Sequence, residues 1–287
     1  MRIGVHVSIA GGIEEAPERG HKLGCEAIQV FTKSNLQWAA QDITLGQYDR
    51  FRALCSQFGL GPNIGHACYL LNLATPEEAL FERSVRTLTL EARRAHEMRL
   101  CCLSFHPGAH LGSGVDQGVR RVAEGLRRVI DDTRDCEIRI AIETTAGSGT
   151  ALGSRFEELA EMIDRTGGSD RIGVCFDTCH VFAAGYELRT LRGCQETLAA
   201  FDRIIGLARL FAFHLNDSKG VRGSKLDRHE HIGQGQLGEA TFRRLLRDRR
   251  FRDVPGVLET PKKMRGRTHW DVINMATLRR LRGSPSA

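Results

Sequence analysis

One stretch restricts the fold more than any other: Ile172-Gly173-Val174-Cys175-Phe176-Asp177-Thr178-Cys179-His180. A short apolar run without alternation ends abruptly in an acid and an imidazole. Such runs suit a strand buried on both faces, as in a parallel sheet. The same ending recurs along the chain. Pro62-Asn63-Ile64-Gly65 runs into His66, and Leu100–Phe105 into His106. Ile138–Ile142 runs into Glu143, Leu210–Phe213 into His214, and Gly256–Leu258 into Glu259. Six predicted strands each deliver a metal-ligating residue type at the C-terminal end, which points to one shared site.

Between these runs lie helical patterns, giving eight strand-then-helix units with short connections. Ile3–Val7 precedes a helix over about 12–23, Ala27–Phe31 one over 45–58, and Gly61–Gly65 one from Thr75 to Met98. For that third helix Thr75, Pro76 and Glu78 predict a capping box. The fourth strand precedes a helix over 116–132, and the fifth a helix capped by Ser154 with Glu157. A helix near 193–208 follows the sixth strand. Leu210–Leu215 and Val254–Leu258 complete the set, each with its helix. Eight repeats of this alternation predict a closed (β/α)8 barrel, expected to form one domain over residues 1–287. In such barrels chemistry sits at the C-terminal strand ends, where the acids and imidazoles fall. The longest interruption is a loop after strand seven, residues 216–238, which carries Asp227, His229 and His231. A loop of that length inside a compact domain is usually functional.

Bulk properties exclude some classes. No run of about 18 apolar residues is present, so no membrane span is expected. The chain enters its first strand pattern directly, without a signal peptide's apolar core, and the expected location is the cytoplasm. Nine scattered cysteines without a Cys-x-x-Cys pair read as reduced, mostly core residues. A net charge of +6 is a mild basic bias, compatible with a phosphate-rich partner.

The candidate donors are four imidazoles (His66, His106, His180, His214) and three carboxylates (Glu143, Asp177, Glu259) at the strand ends, to which the loop could add Asp227 with His229 or His231, making nine. This donor set suits Zn²⁺ first, then Mn²⁺ or Fe²⁺. Nine donors exceed the needs of one ion, and clustered carboxylates repel unless cations lie between them. Paired divalent ions of that kind serve phosphoester hydrolysis.

The motifs resemble the endonuclease IV family of abasic-site endonucleases over nearly the whole chain. They are His6-Val7-Ser8 with Ala10-Gly11-Gly12, His66 with Tyr69-Leu70-Leu71-Asn72-Leu73, and Phe105-His106-Pro107-Gly108. Then come Ile142-Glu143 with Thr145-Ala146-Gly147, Asp177-Thr178-Cys179-His180, and His214-Leu215-Asn216-Asp217-Ser218-Lys219. Asp227-Arg228-His229 and Leu258-Glu259-Thr260 complete the series. The resemblance implies a xylose-isomerase-like TIM barrel with three zinc ions. His66, His106 and Glu143 would hold the first ion. Glu143 would bridge to a second held by Asp177, His214 and Glu259, and His180, Asp227 and His229 would hold a third. Glu143 would also place the attacking water. The implied reaction, on double-stranded DNA containing abasic sites, cleaves the phosphodiester 5′ to the lesion and leaves a 3′-hydroxyl. Tyr69 and Leu70 match positions that wedge into the gap left by the missing base. The chain departs from the family at Lys33-Ser34-Asn35-Leu36-Gln37-Trp38, where Leu36 stands in place of an Arg that would enter the DNA stack. Fewer cations are then expected to meet the DNA.

Rival readings follow from the same residues. A metal-dependent sugar isomerase or epimerase would use one or two ions, without needing Asp227 and His229. A non-catalytic DNA-damage binder would have no use for a buried acid cluster. A monomer is expected. His231 reads as a competing ligand or outer-shell group, His6 and His110 as supporting or core groups, and Cys179 as packing. His21, His96 and His269 are expected on helices facing solvent.

Overall fold

The computed structural model describes residues 1–283. The eight strands are β1 Arg2–His6, β2 Ala27–Phe31, β3 Ile64–His66, β4 Cys102–Phe105, β5 Arg139–Glu143, β6 Ile172–Asp177, β7 Leu210–His214 and β8 Pro255–Leu258. All pair in parallel, each with its sequence neighbours, and β8 closes the ring on β1. The helices are α1 Ala16–Lys22, α2 Leu45–Gln57, α3 Glu78–Glu97, α4 Val115–Asp132, α5 Phe156–Asp164, α6 Thr178–Ala184, α7 Leu191–Ile204, α8 Glu239–Arg247 and α9 Trp270–Arg282. The expected (β/α)8 barrel is therefore present. No helix among the described residues is long and apolar enough to cross a membrane.

Helix starts differ from the capping expectations. α3 begins at Glu78 without a side-chain cap, because the Thr75 hydroxyl is taken locally by the Glu77 N–H at 3.1 Å. α5 likewise starts after Arg155 rather than Ser154, with no side-chain cap. Short polar side chains compete for nearby backbone donors, and at Thr75 a turn wins over the helix. The true capping box is Thr44 with Gln47, at the start of α2. α6 has no counterpart among the predicted helices. It follows β6 without a linker, and the Asp177 carboxylate caps it by accepting the His180 N–H at 2.8 Å.

Two apolar zones fill the molecule. The larger lies between the strands and the helix layer and includes Phe51, Phe81, Phe156, Phe176 and Phe213. The smaller lines the barrel interior and contains Ile64, Cys102, Ala141, Cys175, Phe211, Ala212 and Val257. A bulge sets its floor. Val174 pairs with Leu210 but Cys175 with Ala212, so Phe211 is an extra residue in β7. Its ring occupies the space that a side chain at Gly173 would need, 2.5 Å from where a Cβ would stand. The Arg139 guanidinium covers the Phe211 ring at 4.3 Å. The N-terminal end of the barrel is thus plugged.

Strand closure also depends on Gly4. A Cβ there would lie 1.6 Å from the Ala27 carbonyl oxygen, its register partner on β2. Gly4→Ala is expected to abolish the cooperative thermal transition of the purified protein. Gly46→Ala, inside α2 with nothing closer than 4.0 Å to the added methyl, should instead gain about 0.5–1 kcal/mol in chemical denaturation.

Candidate metal centre

Strand parity builds the site. Side chains two apart share a face, so the residue two after a barrel-lining residue also points inward. Ile64 is followed by His66, Ala141 by Glu143, Cys175 by Asp177, Ala212 by His214, and Val257 by Glu259. His106 stands just past β4, two after Ser104. His180 is delivered by the first turn of α6. Asp227 and His229 come from the loop after β7, whose backbone is tied down. The Asp217 carboxylate accepts N–H groups of Ser218, Gly233, Leu237 and Gly238 at 2.8–3.3 Å. A short antiparallel ladder also pairs Ser218 with His229.

These side chains gather into three groups, two of which share Glu143. His66, His106 and Glu143 form one; Glu143, Asp177, His214 and Glu259 a second; His180, Asp227 and His229 a third. Within each, one ligand-capable atom per residue lies within 4.8 Å of the others. Glu143 is fully buried and belongs to two groups, with Oε2 3.1 Å from His66 Nε2 and Oε1 3.0 Å from His214 Nδ1. Asp227 is the most exposed donor, its side chain about half open to solvent.

Four imidazoles are locked so that their lone pairs face inward. His66 Nδ1 donates to the Ala67 carbonyl at 2.7 Å, His180 Nδ1 to Thr144 at 2.8 Å, and His229 Nδ1 to Glu259 at 3.2 Å. His214 Nε2 donates to Gln29 Oε1 at 2.8 Å. A carbonyl oxygen only accepts, so each outer nitrogen carries the proton. In a neutral ring the inner nitrogen is then a bare acceptor. Yet His180 Nε2 lies 3.3 Å from His229 Nε2 and 3.1 Å from Asp227 Oδ1. His214 Nδ1 lies 3.1 Å from Glu259 Oε2. Acceptors facing acceptors at these separations repel unless a cation stands between them. Outer hydrogen bonds that fix the tautomer are also a hallmark of metal-ligating histidines.

Without ions, only protons can meet this demand. Burial pulls His66, His180 and His214 down, but the facing carboxylates leave all three above the ordinary imidazole value. Burial pushes Glu143 and Glu259 up, but His214 and its neighbours hold both carboxyls well below the usual range. The donor set of nitrogen and carboxylate oxygen fits a hard-to-borderline divalent ion. Two thiols lie close, Cys175 beside Glu143 and His214, and Cys179 beside Asp177 and His229. Burial pushes them up to about 11 and about 12, so both stay protonated and pack as thiols.

Several groups support the donors, and among them only His6 is expected from the sequence. Gln29 accepts from His214, donates to Glu259 Oε1 at 2.6 Å, and touches His6 Nδ1 at 2.9 Å. It is the one polar residue in the otherwise apolar run Ala27–Phe31, and parity turns it inward. Asn216 donates to Asp177 Oδ2 at 2.7 Å, and Ser104 donates to Glu143 Oε2 at 3.2 Å. His6 backs Glu259 at 3.3 Å. His231 lies outside all three groups, stacked on Trp270 with ring centroids 3.8 Å apart. His110 accepts the N–H groups of Gly112 and Gly114. His21 stacks on Phe58, and His269, rather than facing solvent from within a helix, caps α9.

A cavity of about 950 Å³ opens above the three groups. Its lining includes His106, His180, Asp227, His229 and Glu259, together with Tyr69, Leu70, Lys219 and Arg228. Tyr69 is half exposed and meets His66 and His106 edge-on. Leu36 is 72% exposed on the loop after β2, which the Tyr69 N–H reaches through the Asn35 carbonyl at 3.3 Å.

Replacing Gln29 with Leu leaves the His214 ring unanchored. Gln29→Leu is expected to lower divalent-ion affinity by roughly 10–100-fold in chelator competition, with little change in fold.

The family model described as "Xylose isomerase-like TIM barrel" matches residues 17–281. A probable endonuclease 4 of Geobacter sulfurreducens is 47% identical over 97% of this chain and 94% of that protein. One of Methanoculleus marisnigri is 40% identical over 98% and 99%. The crystal structure of endonuclease IV from Thermus thermophilus superposes with a TM-score of 0.84 at 36% identity, covering 98% of both chains. A D-tagatose 3-epimerase-like protein shares the fold, with a TM-score of 0.70 at 19% identity over 96% and 94%. Near-complete coverage at this identity settles the kinship: the chain belongs to the endonuclease IV family of xylose isomerase-like TIM barrels.

Proposed function

We propose that the chain is a zinc-dependent DNA repair endonuclease. It hydrolyses the phosphodiester 5′ to an abasic site in duplex DNA, leaving a 3′-hydroxyl and a 5′-deoxyribose phosphate. The observation that carries this reading is the division of nine donors into three groups with Glu143 shared between two. Names borne by relatives 40–47% identical over nearly the full chain support it.

On this reading His66, His106 and Glu143 hold one zinc ion, Glu143, Asp177, His214 and Glu259 a second, and His180, Asp227 and His229 a third. Bound ions of this kind lower the pKa of a water and neutralise the departing oxygen of a phosphodiester. The remaining work falls to the chain. Glu143 directs one oxygen to each of two groups and, buried without exposure, keeps bulk water from its carboxylate. The Ala67, Thr144 and Glu259 carbonyls and Gln29 hold four imidazoles against rotation. No side chain acts as a covalent nucleophile.

The cavity falls within the usual range for ligand sites, roughly 300–1,000 Å³, and suits a nucleotide turned out of the duplex. Lys219 and Arg228 face the phosphates. Tyr69 and Leu70, with Leu36 beside them, fill the gap in the stack, where unstacking costs least. An epimerase built on this fold needs no third group in the loop after β7. Here Asp217 and the ladder to His229 are devoted to holding one.

Nicking of a duplex carrying one abasic analogue tests the proposal. Wild-type protein should nick 5′ to the lesion and stop after chelation; a protein that nicks no such duplex when metal-loaded overturns it. Glu143→Gln should lower nicking by at least roughly 10²–10³-fold while sparing binding, and unchanged turnover would remove Glu143 from its role. Elemental analysis should find close to three zinc equivalents per chain, and a content near one would undo the three-ion arrangement.

A further inference from the structure

Away from the metal groups, one buried carboxylate joins the exits of two adjacent strands. Glu91, on α3, has no solvent exposure. Its Oε2 accepts from the Thr32 hydroxyl at 2.7 Å, just past β2. Its Oε1 accepts from the Cys68 N–H at 3.0 Å, just past β3. One turn further along α3, the buried Arg94 donates to the Thr32 carbonyl at 3.1 Å and to the Gln41 carbonyl at 2.5 Å. Lys33, also buried, turns its ammonium onto the Ser34 and Gln37 carbonyls. The Tyr69 N–H then closes the two loops on each other through Asn35.

Burying a carboxylate is costly, and these bonds are what offset it. Glu91 touches none of the nine donors, and its one link toward them is the Ala67–Cys68 peptide, whose N–H it accepts and whose carbonyl anchors His66. Its partners instead belong to the two loops that raise Leu36 and Tyr69, exposed by 72% and 52%, above the mouth. Two large apolar side chains on neighbouring loops grip a partner only if their separation is fixed, since loops otherwise lose entropy on binding.

We infer that Glu91 is a positioning residue that sets the spacing between the Leu36 loop and the Tyr69 loop for engagement of the lesion. The inference rests on the endonuclease reading above. It acts through hydrogen bonds, not through charge at the reacting phosphate. A glutamine at 91 can serve the same partners: its oxygen accepts from Cys68 and its amide donates to the Thr32 hydroxyl, which also accepts. A leucine cannot.

The experiment compares Glu91→Leu with Glu91→Gln in the zinc-loaded protein, using a duplex with one abasic analogue. Steady-state nicking, zinc content and amide hydrogen exchange are measured together. Glu91→Leu should raise KM about tenfold with kcat and zinc content near wild type, and should speed exchange in residues 33–42 and 67–72. Glu91→Gln should restore both KM and exchange. Wild-type KM and exchange in Glu91→Leu overturn the inference, as does a Gln variant no better than Leu. A fall in kcat with loss of zinc also overturns it, since the hub would then serve His66. If Glu91→Leu does not fold, Thr32→Val removes only the hydroxyl contact and should shift KM and exchange the same way by less; no shift overturns the inference. Failure of the endonuclease reading looks different, because wild-type protein would then nick nothing while the exchange contrast persisted.

Discussion

The site depends on one electrostatic constraint: inward lone pairs of imidazoles confront carboxylate oxygens at about hydrogen-bond distance, and something positive must lie between them. The outer nitrogens are already committed to carbonyls, so the rings cannot turn away. Protons satisfy part of this demand and divalent ions satisfy it better. The rest of the barrel serves to make that confrontation unavoidable. Parity in five strands directs donors inward, Asp177 uses one oxygen to cap α6, and Asp217 ties down the loop that completes the third group.

Much of this architecture is legible in the chain. The repeated ending of apolar runs in His, Asp or Glu requires neither burial data nor neighbours to notice, and eight alternations imply closure. The short strand β3 is harder, since only Ile64–His66 pair although the apolar signal begins earlier. The helix start at Thr75 misleads because a hydroxyl can satisfy a turn as readily as a helix, and α5 begins one residue later than Ser154 suggests. α6 is hidden because a seven-residue helix carries too little periodicity to register.

The donors at strand ends are legible for the same reason, whereas their supporters, His6 apart, are not. Gln29 is distinguished only by which face it occupies, and parity becomes certain only once β2 is paired with β1 at Gln29 and His6. Asp227 and His229 lie in a polar loop where composition says nothing of position, and the motif resemblance alone marks them. His231, two residues beyond His229, looks equivalent in sequence; the turn after the short ladder sends it to Trp270 instead. The Glu91 hub leaves no trace, since a lone acid in an amphipathic helix ordinarily faces solvent.

The Phe211 plug carries a consequence for exchange with bulk solution. With Gly173 vacating room for that ring and Arg139 covering it from below, the barrel is a cup rather than a tube. Whatever enters the centre must leave by the same rim. A duplex seated over that rim would therefore act as a stopper, shielding any cations held there from scavengers for as long as the complex lasts.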